Sequence, residues 1–352
     1  MTQLMNSKAL NRFNCIVMVF LFLNLPALTY ADSEIDYQTG MEAYKKKDYK
    51  SALEKWILSA DQGHIEAQFG LASIYDNELG IRDYQEAIKW YRSAAVQGHV
   101  KAQYNLGWMY YKGKGIPQDF KAAVKWFRLS AEQGHASAQS VLGTMYHIGR
   151  GVTQNYQEAV KWYRLAAEQG QATAQYNLGA MYFNGQGIPQ DYQEAVKWYR
   201  QSAEQGLAKA QFGLGSMYDN GLGVIQDNKE AVKWYRLAAE QGFAEAEFVL
   251  GAMYNNGEGV IQDYKQAATW YRLSANQGIA EAQYKLGVLY ADGRGVQQDY
   301  VLAHKWLNIS GANKYKLGNK GRNLIEKLMT TDQIARAQKM AREWIKQHGT
   351  KQ

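Results

Sequence analysis

A 36-residue repeat occupies most of the chain and restricts what it can fold into. The segment EAVKWYRLAAEQG runs from Glu158 to Gly170 and returns unchanged from Glu230 to Gly242. Tryptophan recurs every 36 residues, at positions 90, 126, 162, 198, 234, 270 and 306. A period of this length is typical of proteins in which each unit buries its apolar face by stacking on its neighbours. Seven units are expected over 64–314, preceded by a degenerate unit at 32–63.

Each unit is expected to form two antiparallel helices joined by a loop. In the unit that ends at Gly206, apolar side chains recur at helical spacing over 174–182 and again over 195–203. The loop NGQGIPQD interrupts these stripes with two glycines and a proline. Asp191 and Glu194 suit a capping box at the start of the second helix, and Gly206 suits a left-handed cap at its end. Units of this kind predict an all-α solenoid of antiparallel helix pairs.

A glycine inside the first helix of six units conflicts with its helical setting. Each such glycine should cost about 1 kcal/mol relative to alanine. The cost is tolerated where the missing side chain lets two helices approach closely, so we predict helix–helix contacts at these positions. The positions are Gly107, Gly143, Gly179, Gly215, Gly251 and Gly287.

The Trp-Tyr-Arg trio of the second helix is interpreted as part of the packed interior rather than as an active site. Its tyrosine position lies on the apolar stripe and is occupied by Phe127 and Leu307 in two of the units. A catalytic hydroxyl could not be replaced in this way. The tryptophan is expected to cover the seam to an adjacent helix, and the arginine to lie over neighbouring carboxylates or rings.

The first 31 residues differ from the rest and predict a cleavable export signal. Lys8 and Arg12 precede the short apolar segment Cys15–Leu25, and small residues precede a cleavage point at Ala31/Asp32. The alternative is an uncleaved membrane anchor, but about 11 apolar residues are too few for a bilayer that needs roughly 20. Export would remove the single cysteine, so a periplasmic or secreted chain would have no disulfide and no membrane span.

Positive charge is concentrated in the segment 315–352, which is predicted to be a basic helical cap. From Lys314 to Gln352 ten Lys/Arg face three Asp/Glu, a net +7, so that 32–313 is near −2. The body therefore lacks the positive groove that nucleic-acid binding requires. Thr330 and Gln333 suit a capping box. The helix that follows has one apolar face, formed by Ile334, Ala337, Ala341, Trp344 and Ile345.

The sequence contains only weak patterns that could indicate catalysis, metal binding or cofactor binding. His64, His99 and His135 share the position after the closing glycine of a unit, without carboxylate or thiol companions in the sequence, and no metal site is predicted. The GKG, GRG and GQG loops lack the strand and the further glycine of a dinucleotide-binding motif. No nucleophile elbow or zinc-protease motif occurs. Neither a cofactor nor an enzymatic activity is therefore predicted.

The unit AQYNLGAMYFNGQGIPQDYQEAVKWYRQSAEQG (Ala174–Gly206) resembles the Sel-one-like repeat (SLR) family, a subclass of the tetratricopeptide-type α-solenoids. The resemblance covers about 250 residues in seven copies, and the unit at 32–63 looks more like an ordinary tetratricopeptide repeat. It implies a right-handed superhelical solenoid that acts as an adaptor, since exported bacterial members bind other proteins in the envelope or on host cells. Some cysteine-rich members have been described as binding penicillin-like compounds. The alternative function is therefore an envelope enzyme that hydrolyses a β-lactam or a peptidoglycan fragment.

The resemblance also indicates which side chains would line a binding groove. Positions on the first helix of each unit, opposite its core face, match the groove positions of tetratricopeptide repeats, and aromatic residues there are typical interface anchors. We predict a protein or peptide ligand in this concave groove, and a weak contact of the basic tail with anionic surfaces. The predicted partner-binding residues are Tyr104, Trp108, Tyr111, Tyr176, Phe183, Phe212, Asp219 and Tyr284.

Overall fold

The computed structural model describes residues 32–76 and 82–349. The predicted export signal, its cleavage point and Cys15 lie outside these residues. Within them the regular elements are all helices, which pack as sequential antiparallel pairs and confirm the fold class expected from the repeat. The right-handed superhelix stays a prediction.

Each repeat consists of a first helix, here called the A helix, and a second helix, the B helix. The A helices are α3 (Ile65–Asp76), α5 (Val100–Lys112), α7 (Ala136–Ile148), α9 (Ala172–Asn184), α11 (Ala208–Asn220), α13 (Ala244–Asn256) and α15 (Ala280–Asp292). The B helices are α4 (Tyr84–Val96), α6 (Phe120–Glu132), α8 (Tyr156–Glu168), α10 (Tyr192–Glu204), α12 (Asn228–Glu240), α14 (Tyr264–Asn276) and α16 (Tyr300–Ala312). Before them come α1 (32–45) and α2 (Tyr49–Asp61), and after them α17 (Lys316–Glu326) and α18 (Thr331–His348).

The chain divides into two compact units, the first ending at Ala166 and the second beginning at Ala167. Each unit has its own buried clusters, in which alanine, leucine and methionine of the A helices pack against alanine and aromatic side chains of the B helices.

The interior glycines of the A helices lie against a side chain of the B helix in the same repeat. A Cβ on Gly107 would stand 2.7 Å from Phe127 Cδ1, so only glycine allows this approach. The predicted close contact is confirmed, and in the helix pair α1–α2 the ring of Trp56 takes the same position against Gly40. The contact recurs at Gly143, Gly179, Gly215, Gly251 and Gly287.

The arginine of the Trp-Tyr-Arg trio joins consecutive repeats. Arg92 on α4 donates to Tyr110 Oη on α5 at 2.8 Å, and Arg236 on α12 donates to Tyr254 Oη on α13 at 2.7 Å. Its neighbour is therefore a tyrosine rather than a carboxylate. The tryptophan covers the predicted seam, since Trp270 on α14 packs against side chains of α12 and α13. The same bond joins Arg128 to Tyr146, Arg200 to Tyr218 and Arg272 to Tyr290.

A buried glutamine on the A helix links it to two B helices. Gln103 Nε2 donates to Ala95 O on the preceding B helix at 3.0 Å, and Gln103 Oε1 accepts from Gln133 Nε2 at 2.7 Å. In α13 this position holds Glu247, which is 3% exposed and accepts from Gln277 Nε2 at 2.9 Å. The same pair of bonds is made by Gln68, Gln175, Gln211 and Gln283.

The B helices begin with an aspartate or asparagine cap, as predicted, but the reciprocal bond of the capping box is replaced. Asp191 Oδ1 accepts from the backbone N of Glu194 at 3.0 Å. The carboxylate of Glu194 accepts instead from Lys197 Nζ at 3.0 Å and from Trp198 Nε1 at 3.1 Å. The predicted box is therefore wrong in its second bond, because the lysine of the next turn offers the carboxylate a charged donor.

The last helix covers the end of the second unit. Thr330 and Gln333 form both bonds of a capping box at the start of α18, and the buried Trp344 packs edge-on against Trp306 with ring centroids 6.0 Å apart. The predicted apolar face is confirmed, and the basic residues Arg336, Lys339 and Lys346 are exposed.

Candidate interaction surface

The predicted groove residues all lie on A helices and are half-buried. Three of them belong to the first compact unit and five to the second. One side of each aromatic ring is covered by the chain itself, and the remaining surface is open to another molecule.

In the first unit, Tyr104, Trp108 and Tyr111 form one connected cluster on α5. The ring of Trp108 lies edge-on to both neighbours, 6.2 Å from Tyr104 and 5.1 Å from Tyr111. Phe127 on α6 supports the cluster, with its ring 5.8 Å from Tyr104 and 5.5 Å from Trp108. Arg150 of the next repeat donates to Tyr111 Oη at 2.6 Å. The structure thus brings these three predicted residues together, and the contacts with Phe127 and Arg150 hold their rings in place.

In the second unit, Tyr176 and Phe183 lie on α9 and each contacts a ring of α10. The ring of Tyr176 is 5.7 Å from that of Tyr199, and the ring of Phe183 is 5.5 Å from that of Tyr192. Their own B helix therefore supports them in the way that Phe127 supports the cluster on α5.

Phe212 and Asp219 on α11 both contact Tyr235. The Phe212 ring lies 5.4 Å from the Tyr235 ring, and Asp219 Oδ2 accepts from Tyr235 Oη at 3.3 Å. Burial raises the pKa of the Asp219 carboxyl, and the bond from Tyr235 opposes that rise. Burial also raises the pKa of Tyr235, so its hydroxyl stays neutral and can donate to the carboxylate.

The residue just before the following A helix closes the other side of several groove rings. His135 lies 4.8 Å from Tyr104, and Tyr315 lies 5.4 Å from Tyr284, measured between ring centroids. The ring of Tyr104 is thus held between Phe127 of its own B helix and His135 at the start of the next A helix, so it is not fully exposed.

A cavity of about 910 Å³ opens in the first unit and was not evident from the sequence. It is lined by side chains of α1 and by the first residues of α3 and α5, and a second cavity of about 240 Å³ shares Tyr37, Glu66 and Phe69 with it. The placement of α1 creates both cavities. Helix α1 belongs to the degenerate repeat, so the 36-residue spacing that predicts the other helices does not predict where α1 packs.

His64 and His99 line the larger cavity, and each is paired with a carboxylate. His64 Nε2 lies 2.9 Å from Glu34 Oε2, and His99 Nε2 lies 3.3 Å from Glu66 Oε1. The expectation that these histidines have no carboxylate companions is therefore wrong, because each glutamate comes from a helix that precedes the histidine by about one repeat. Burial lowers the pKa of His99, and Glu66 opposes that change.

The described part of the chain has neither a cluster of metal-binding side chains nor a membrane-spanning helix. Residues 32–76 and 82–349 contain no group of three or more His, Cys, Asp or Glu side chains that could hold a metal ion. No helix in these ranges has the length and apolar character needed to cross a bilayer.

Comparison with known proteins shows the family. The Sel1 repeat model matches seven consecutive segments, 65–99, 100–135, 136–171, 172–207, 208–243, 244–279 and 280–314. The chain is similar to the crystal structure of a Sel1 repeat protein from Oxalobacter formigenes, with 30% identity over 88% of this chain and 90% of that one and a TM-score of 0.69.

The chain is also similar to a protective antigen present in uropathogenic Escherichia coli strains, whose structure displays an SLR fold. The identity is 29% over 90% of this chain and 92% of that one, with a TM-score of 0.56. No curated protein sequence matches the chain. The chain belongs to the Sel1 repeat family.

Proposed function

We propose that the chain is an exported scaffold that binds a protein or peptide on the groove side of its A helices. The observation that supports this most directly is the cluster of Tyr104, Trp108 and Tyr111. Large aromatic rings that are already held in place lose little conformational freedom on binding, and such residues contribute most of the energy in many interfaces. Phe127 and Arg150 hold these rings before any partner arrives.

Differences between neighbouring repeats support one specific partner over general adhesion. The groove positions of α7 hold Ser140, Thr144 and His147, where α5 holds Tyr104, Trp108 and Tyr111. Ser140 is buried and Thr144 bonds to Tyr163, so the exposed aromatic surface of α5 is not repeated on α7. The cavity beside α1, with Glu34, Glu66 and Lys101 in its lining, adds charged groups of both signs in the same unit.

Export is proposed from the first 31 residues, which combine a basic start, a short apolar segment and a cleavage point. The similarity to a protective antigen of uropathogenic Escherichia coli strains is consistent with a protein that acts in the envelope or towards a host. We therefore propose the periplasm or the exterior of the cell as its location.

The test is capture of a partner from envelope and culture fractions by the purified chain beginning at Asp32. We expect a specific protein to be retained by the wild type and lost with the double substitution Trp108→Ala/Tyr111→Ala. The control is Ile225→Ala/Ile261→Ala, since both isoleucines are 91% exposed in loops far along the chain from α5.

Circular dichroism must show an unchanged helical signal for both variants, because Trp108 also contacts Phe127. Tyr111→Phe, which keeps the ring and removes only the bond from Arg150, provides a milder second variant. Equal retention by all variants would disprove the groove assignment.

A scaffold of this kind would carry out no chemical step. The alternative is an enzyme that hydrolyses a β-lactam or a peptidoglycan fragment. It would be supported instead if the purified protein showed saturable hydrolysis that the substitution of one polar side chain abolishes.

A further inference from the structure

Helix α17 occupies the place of an eighth A helix but is followed by a helix that packs elsewhere. It packs on α15 and α16, as an A helix packs on the repeat before it. In the six repeats other than the one containing α8, the A helix also packs on the B helix that follows it, whereas α18 packs against α16. Helix α17 therefore lacks a following B helix that packs against it as in those repeats.

The exposed side of α17 carries an apolar stripe. Leu317, Leu324 and Leu328 are 41%, 63% and 61% exposed. Their spacing of i, i+7 and i+11 places them within about 40° around a helix with 3.6 residues per turn. Leu328 continues the stripe beyond the end of the helix, because its backbone N donates to Ile325 O at 2.9 Å. Exposed leucines aligned in this way are unusual on a surface that meets only water.

The charges beside the stripe are all positive. Lys316, Lys320 and Lys327 are exposed, and the same helical spacing places them along one flank of the leucines. The one acidic residue of α17, Glu326, is engaged on the other side of the helix. Its Oε1 lies 2.8 Å from Nε2 of the buried His304 and 3.7 Å from Nε of Arg322.

We propose that this leucine stripe with its lysine flank docks on an anionic lipid surface. Leucines aligned on one side of a helix can enter the boundary between headgroups and acyl chains while the lysines reach phosphate groups, which is the arrangement of interfacial amphipathic helices. The wider C-terminal segment adds to the attraction, since the net charge from Lys314 onwards is +7. The stripe would hold the C-terminal end of the scaffold at a membrane surface.

The test is co-sedimentation of the chain beginning at Asp32 with vesicles of phosphatidylglycerol and phosphatidylcholine, compared with vesicles of phosphatidylcholine alone. We expect binding to the anionic vesicles only, and a marked decrease at high salt. Lys320→Gln/Lys327→Gln should weaken binding roughly tenfold or more, since each basic residue near an anionic surface contributes a substantial part of the attraction. Leu324→Ser/Leu328→Ser should weaken it at low salt as well.

The control for the leucine substitution is Ile225→Ser/Ile261→Ser. It removes two exposed isoleucines that are not part of the leucine stripe, and this variant should bind vesicles like the wild type. Trp108→Ala/Tyr111→Ala should also bind vesicles normally, so this test is independent of the groove. The proposal is overturned if the leucine and lysine variants bind vesicles as well as the wild type. It is equally overturned if Leu324→Ser/Leu328→Ser converts a dimer into a monomer in sedimentation without changing vesicle binding, because the stripe would then meet a second copy.

Discussion

Gly215 on α11 lies directly against Tyr235 on α12: a Cβ added at Gly215 would stand 2.8 Å from Tyr235 Cδ1. Two residues earlier on the same helix, a Cβ at Gly213 would meet its nearest neighbour, Tyr199 Cε2, at an ordinary 3.5 Å. One helix therefore contains a glycine required by packing and a glycine that packing does not require.

This pair gives the first prediction. Gly215→Ala should lower the free energy of unfolding by about 1–2 kcal/mol, because overpacking a tight contact costs more than the gain in helix propensity. Gly213→Ala should raise it by up to about 1 kcal/mol, since only the propensity changes. Urea denaturation of the two variants and the wild type measures both shifts. Equal effects of the two substitutions would contradict the packing role of Gly215.

The second prediction concerns Glu247, which interrupts the series of buried glutamines. Its carboxylate has no hydrogen to donate to the carbonyl of Ala239, the acceptor that this position uses in other repeats. Glu247→Gln should therefore stabilise the protein at neutral pH by about 1 kcal/mol. Gln283→Glu, the reverse change in the next repeat, should destabilise it, because Gln283 is 0% exposed and makes both bonds.

The pH dependence of the Glu247→Gln variant follows from the same burial. Burial raises the pKa of the Glu247 carboxyl, while the bond from Gln277 lowers it. A raised pKa in the folded state means that the ionised group destabilises the fold above that pKa, and the penalty disappears as the pH falls below its unfolded value. The advantage of Glu247→Gln should therefore shrink on acidification. A difference that grows at low pH would contradict the assignment.

The third prediction addresses the bonds between repeats. Tyr254→Phe removes the acceptor of Arg236 and keeps the ring, so the free energy of unfolding should fall by about 0.5–1.5 kcal/mol. A double-mutant cycle with Arg236→Gln should give a coupling energy of the same sign and similar size. A coupling energy of zero would show that solvent replaces the bond without loss.

The fourth prediction uses the buried phenols. Burial raises the pKa of both Tyr91 and Tyr163 to about 12, although Ser73 and Thr144 oppose the rise through hydrogen bonds. The unfolded chain ionises these phenols near their ordinary pKa of about 10, so stability should be lost as the pH rises above that value. Tyr163→Phe should move alkaline unfolding to higher pH.

Phenolate absorbance and circular dichroism, followed together in a pH titration, provide the measurement. The two signals should change in one transition for the buried phenols of the wild type. Full ionisation of every tyrosine before any loss of helix would contradict the prediction.

Much of the fold could be predicted because the repeat determines it locally. The interior glycines, the aspartate caps and the box at Thr330 and Gln333 depend on neighbours in one helix or one helix pair. The partner of each arginine and of each buried glutamine could not be predicted in the same way. It depends on how far one repeat is shifted along the next, and that shift results from the sum of all contacts between them.

The candidate site could also be predicted only in part from the sequence. The positions of Tyr104, Trp108 and Tyr111 follow from helical spacing, and the structure places their rings together. Their burial does not follow from it, because Phe127 and His135 come from other helices. The cavity beside α1 depends on a degenerate unit whose register the spacing does not define, so the spacing does not predict the pairs His64–Glu34 and His99–Glu66.

The loop glycines between A and B helices set a rule for how this array can change in length. A Cβ added at Gly223 would stand 2.3 Å from the carbonyl oxygen of Tyr192 in the preceding repeat and would collide with it. A Cβ added at Gly259 would stand equally close to the carbonyl oxygen of Asn228. Each of these two junctions therefore accepts its neighbouring repeat in one register only. Insertion or deletion of a whole 36-residue repeat keeps such junctions in register, whereas a shorter change would shift one repeat against the next. The length of the array can therefore change only in steps of one repeat.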